Sequence, residues 1–100
     1  MPHTELNSKS DFDKALDTKG KYVLIYAYEN SVNPKADEYA SSYASSTDAY
    51  KVDVAKHAAA REYFGVTTVP TIVVYKDGKE VKKVEGADQA GMEEVRNLLS

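Results

Sequence analysis

Three features of the sequence predict an α/β fold with a central mixed sheet flanked by helices. Short apolar runs of strand length alternate with segments whose apolar residues recur at helical spacing. The run Lys21 to Tyr28 has no polar alternation, as suits a strand covered on both faces. An Asp-Gly pair at 77–78 supplies the positive φ angles of a tight hairpin, so the last two strands are expected to be antiparallel. The predicted order is βαβαβα followed by ββα. One hundred residues allow a single buried core and not two, so residues 1–100 are expected to form one domain.

Each element has a local reason. Between Ser8 and Lys19, Phe12, Ala15 and Leu16 form an apolar stripe, with Ser10 and Asp13 approximating a capping box and Gly20 placed to end the helix. KYVLIYAY follows as the central strand. Asn33-Pro34 is a helix start, because Asn caps well and proline at the first helical position gives up no needed N–H. Asp37 and Glu38 suit the positive end of that helix, which is expected to run to about Ser45 and bury Ala36, Ala40, Tyr43 and Ala44. Its serines are weak helix formers, so tertiary packing must hold it.

Ala49 to Val54 reads as the next strand, and Lys56 to Tyr63 as a short helix closed by Gly65. Thr71 to Tyr75 is a further inner strand, and Lys79 to Glu85 its antiparallel edge partner, with Val81 and Val84 set against Lys82, Lys83 and Glu85. Asp88 is expected to cap a last helix that carries Met92, Val95, Leu98 and Leu99 on one face.

Composition excludes several functions. The formal charge of -3 comes without any Lys/Arg block, so nucleic acid is not an expected partner. The longest apolar stretches are far short of a bilayer span, so no membrane is expected either. The amino terminus lacks the basic and apolar parts of a secretory signal, and a cytoplasmic location is the default expectation. The absence of cysteine excludes disulfides, thiolate metal sites and cysteine nucleophiles. His3 and His57, the only histidines, have no further ligand types at metal spacing and read as solvated side chains. No Gly-x-Ser-x-Gly elbow is present to suggest hydrolysis. No metal, cofactor or catalytic residue is expected. Of the eight tyrosines, Tyr22 and Tyr26 read as core, whereas Tyr28, at the strand end, reads equally as a surface ring for an interface.

Three segments, in this order, resemble the thioredoxin family: Tyr50-Lys51-Val52-Asp53-Val54, then Tyr63-Phe64-Gly65-Val66-Thr67-Thr68-Val69-Pro70-Thr71, then Val73-Val74-Tyr75-Lys76-Asp77-Gly78-Lys79. Gly86 falls where that family has a glycine before its last helix. The resemblance spans nearly the whole chain and implies a thioredoxin-like fold. It also implies a cis Val69-Pro70 bond, in a loop that offers backbone groups to an extended peptide. The blander alternative is a trans proline at a strand entry.

The sequence departs from the family where the chemistry lies. After the central strand the family places Trp-Cys-Gly-Pro-Cys-Lys; here Tyr28-Glu29-Asn30-Ser31-Val32-Asn33 follows, shorter by roughly one helical turn. The family's buried aspartate falls on Leu24, and its partner lysine on Lys51. A carboxylate buried without a task is costly, so leucine is the expected replacement once the thiols are gone.

Together these features predict a redox-inactive, non-enzymatic, thioredoxin-like module that binds a protein or extended peptide segment, as a monomer or weak dimer. The expected contacts are Tyr28, Glu29, Asn30, Ser31, Thr68, Val69, Pro70 and Gly86, with strand addition at Thr68 and Val69 as the mode. The alternative is a structural or assembly domain, or an engineered variant from which the active-site motif was removed.

Overall fold

The computed structural model describes residues 4–29, 38, 42–43, 46–86 and 88–99. Within them the chain forms β1 (Thr4–Glu5), α1 (Lys9–Leu16), β2 (Tyr22–Tyr28), β3 (Thr47–Asp53), α2 (Ala59–Phe64), β4 (Thr71–Lys76), β5 (Lys79–Glu85) and α3 (Gln89–Leu99). The helix expected between Asn33 and Ser45 lies outside the described residues except for Glu38, Ser42 and Tyr43.

The five strands form one mixed sheet in the order β1-β3-β2-β4-β5. β1 and β2 both run parallel to β3, β4 runs antiparallel to β2, and β5 antiparallel to β4. β2 is therefore central, as its unbroken apolar run predicts. Alternate residues go to opposite faces. Val23, Ile25 and Ala27 join the core under α1 and α2 with Phe12, Ala15, Ala60 and Phe64, and Leu24, Tyr26 and Tyr28 join the core under α3 with Val95 and Leu99.

Local signals hold with shifted boundaries. The cap of α1 is Ser8 rather than Ser10: the Ser8 hydroxyl accepts from the Asp11 N–H at 3.2 Å, and the Asp11 carboxylate accepts from the Asn7 N–H at 2.9 Å. The same box chemistry thus operates two residues earlier, which lets Phe12 and Ala15 face the sheet. The helix ends at Leu16, and Gly20 (φ 80°) belongs to the turn into β2. β3 begins at Thr47, ahead of its apolar signal, because backbone pairing with Tyr22 and Val23 extends it. α2 begins at Ala59, not Lys56. Asp53 holds the preceding residues in a turn, its Oδ1 accepting from the Ala55 and Lys56 N–H groups.

Asp77 (φ 52°) and Gly78 (φ 80°) form the hairpin turn as expected from their types. β5 differs from its expected alternation. Its register shifts opposite Val74 and Tyr75, which pair with Lys82 and Glu80, so Val81 is passed over. Val84 is buried, whereas Val81 is 46% exposed, so the two valines do not share a face. Asp88 caps α3, accepting from the Gly91 N–H at 2.7 Å.

Candidate functional site

Strand register brings three distant segments abreast. Ala27 pairs with Thr71, and Thr71 with Glu85. The carboxyl ends of β2 and β5 and the amino end of β4 therefore meet at one end of the sheet, and the residues just beyond them are Tyr28-Glu29, Val69-Pro70 and Gly86. These include most of the expected contacts. Asn30 and Ser31 lie outside the described residues.

The loop from Gly65 to Pro70 is anchored at both ends. Gly65, left-handed at φ 66°, closes α2, and its carbonyl accepts from the Lys83 ammonium at 2.9 Å. Val66 is buried in the core, and the fully buried Thr71 hydroxyl donates to the Thr68 carbonyl at 2.6 Å. Between these anchors Thr67 and Thr68 are exposed, and Val69 and Pro70 are half-buried. Val69 packs against the core under α1 and α2, and the Val69-Pro70 peptide bond is cis. Among the described residues, the Val69 N–H and C=O make no hydrogen bond. Gly86 is exposed, with φ 80°.

Tyr28 has a different position from the rest of the set. It is 7% exposed and faces the core under α3, where its ring stacks on Tyr26 at 6.0 Å. Its hydroxyl donates to Glu5 Oε2 at 2.9 Å, tying β2 to the short edge strand β1 across β3. Burial first, then the hydrogen bond to Glu5 and the negative charges of Glu5 and Asp53, push the phenol up to about 12. At neutral pH it is a fixed donor and supports the site from within. Glu29, the next residue, is exposed and accepts from the Arg61 guanidinium, which joins the end of β2 to α2.

Leu24 is 2% exposed and packed in the core under α3. Lys51 is half-buried on β3, in register with Tyr26 on one side and Glu5 on the other. His57 is half-buried in the turn before α2, and His3 lies outside the described residues. Among the described residues, no group of three or more His, Cys, Asp or Glu side chains could hold a metal ion. With no cysteine in the sequence, the chain supplies neither an attacking thiolate nor a leaving sulfur. Also among the described residues, no helix is long and apolar enough to cross a membrane.

Two supporting residues were not anticipated from the sequence. Glu5 becomes relevant only because β1 lies beside β3, and Asp53 acts through a turn. The second had a local sign, since an Asp at a strand end readily caps the N–H groups that follow it.

Comparison with known proteins agrees with this geometry. The Thioredoxin family profile matches residues 3–97. Thioredoxin-2 of Saccharomyces cerevisiae is 31% identical over 97 residues, covering 91% of this chain and 92% of the relative. The crystal structure of Fasciola hepatica thioredoxin superposes with a TM-score of 0.84 at 26% identity, covering 97% of this chain and 99% of that one. A Plasmodium falciparum thioredoxin superposes at 0.83 with 21% identity, covering 97% of this chain and 99% of that one. Profile, relatives, mixed sheet and the Gly65–Thr71 loop all agree, and the chain belongs to the thioredoxin family.

Proposed function

We propose that this chain is a redox-inactive member of its family, a binding module that holds an extended protein segment along the Val69-Pro70 loop and performs no catalysis. The observation that carries the proposal is the Val69 backbone, whose N–H and C=O have no hydrogen bond among the described residues although the loop around them is anchored. An ordered backbone edge with open donor and acceptor groups is what an added strand needs, and its order lowers the entropy cost of binding. The exposed Thr68 and Gly86 flank that edge without a bulky side chain to block it. The missing cysteines support the non-enzymatic half of the proposal.

The test is a titration of the isotope-labelled chain with extended peptides, followed by amide chemical shifts. Perturbations concentrated at Thr68, Val69, Thr71 and Gly86 are the expected result. Perturbations centred elsewhere, or none with any peptide, would leave a structural or assembly domain as the better account. A disulfide-reduction assay run alongside is expected to show no activity above buffer.

A further inference from the structure

Lys83 lies on the edge strand β5 in register with Val73, so its side chain leaves the sheet on the face under α1 and α2. From there it reaches the end of α2 and donates from its ammonium to the Gly65 carbonyl at 2.9 Å. A lysine ordinarily keeps its head in water, but this side chain is only 24% exposed. The approach is close: a Cβ built on Gly65 would lie 2.7 Å from the Lys83 Nζ. The left-handed glycine therefore both turns the chain out of α2 and leaves the ammonium its place. Glu80, on the same strand, has its carboxylate at 3.7 Å from the ammonium, beyond hydrogen-bond distance, so the carbonyl is the nearer partner. The loop's other fixed points are local. Val66 is buried and its N–H donates to the Arg61 carbonyl at 2.8 Å, and the Thr71 hydroxyl holds the Thr68 carbonyl. Among the described residues, Lys83 is the one side chain of another element that hydrogen-bonds the Gly65–Pro70 loop, and it ties that loop to a strand already fixed by pairing with β4.

Resting on the binding reading above, we propose that Lys83 is the positioning residue of this groove: its ammonium holds the start of the Val69-Pro70 loop, so that the open Val69 N–H and C=O are ordered before an extended segment arrives. A segment that pairs with an ordered edge loses less entropy on binding than one that must order the edge as it docks. Lys83 acts through Gly65 and does not itself touch the bound segment. Removing the ammonium while keeping the stem therefore lowers loop order and affinity and leaves the sheet intact.

The experiment compares the full-length parent with Lys83→Met, which keeps an apolar stem, and Lys83→Arg, which keeps a cationic donor. Backbone order parameters from amide nitrogen relaxation are measured on the free chains, and affinity is measured for the tightest extended peptide from the titration above. In Lys83→Met the order parameters of Thr67, Thr68 and Val69 are expected to fall while those of β2 and β4 keep the parent's values. The peptide is then expected to bind about 3- to 10-fold more weakly, the range set by the net worth of one intramolecular hydrogen bond. Lys83→Arg is expected to restore both. A loop equally ordered in Lys83→Met, or a loosened loop with undiminished affinity, overturns the positioning role and leaves the binding groove standing. A parent that binds no peptide, although its loop loosens in Lys83→Met, overturns the binding reading and with it the role of Lys83 in binding.

Discussion

The two faces of the sheet are closed by different means. Under α1 and α2, aromatic rings fill the space: Phe64 lies 5.1 Å from Phe12, 4.9 Å from Tyr63 and 6.2 Å from Tyr75, in edge-on or tilted contacts. Under α3 the sheet is closed by close approach, because α3 presents Gly91 to Val84. A Cβ built on Gly91 would lie 2.4 Å from one Val84 methyl and 2.8 Å from Asp88 Oδ1. The first face depends on filled volume throughout, and the second, which also holds the stacked Tyr26 and Tyr28 rings, depends on distance where Gly91 meets Val84. Deletions should therefore damage the first and additions the second. The tyrosine hydroxyl of Tyr28 adds a third, smaller dependence on a polar partner at the sheet's edge.

The largest expected effect comes from Phe64→Ala, which empties the middle of the ring cluster at a residue only 1% exposed. A loss of about 3–5 kcal/mol is expected in denaturant-induced unfolding, the usual cost of deleting a buried aromatic ring. A loss below 1 kcal/mol would mean that the neighbouring rings collapse into the space, and the contrast between the faces would fail.

Gly91→Ala tests the opposite face by adding a single methyl group. In an exposed helix this change would stabilise, but here the methyl meets a stiff valine and the capping carboxylate. A net loss of about 1–2 kcal/mol is expected. A stabilised variant would show that α3 can move off the sheet at no cost.

Tyr28→Phe should have the smallest effect, about 1 kcal/mol at neutral pH, for one hydrogen bond whose acceptor is still reached by water. Its signature is in the pH dependence. The phenol rises from 10.0 to about 12 in the folded chain, so its stabilisation is fully present below pH 10 and is lost as pH climbs from 10 to 12. Tyr63, hydrogen-bonded to Asp13, and the buried Tyr75 are also raised to about 12 and should keep part of that alkaline slope in the variant. Unfolding midpoints measured across this range should fall less steeply for Tyr28→Phe than for the parent. Parallel curves would mean that the Glu5 contact does not persist in solution.

Much of the fold was legible because its signals are local. The apolar run of β2, the Asp77-Gly78 turn, the Gly65 helix end and the Asp88 cap all depend on one residue's conformation or on near neighbours. The shifted cap of α1 shows where such reading slips: Ser8 and Ser10 both have an aspartate three residues on, and only the need to turn Phe12 inward chooses between them. β1 had no pattern of its own, since two paired residues, Thr4 and Glu5, have no period. Of the candidate site, the loop around Pro70 could be read from its motif. The inward position of Tyr28 could not, because a strand-end tyrosine suits a wet surface and a buried hydrogen bond equally well.

The sequence by itself determined the mixed α/β architecture and the loss of thiol chemistry, because periodicity, turn chemistry and the absence of sulfur nucleophiles are properties of the chain before it folds. Tertiary structure alone decided that Ala27, Thr71 and Glu85 lie abreast, that Tyr28 reaches Glu5, and that Val81 is left outside the ladder. Each of these depends on strand register between residues far apart in sequence, where a shift of one residue sends a side chain to the other face.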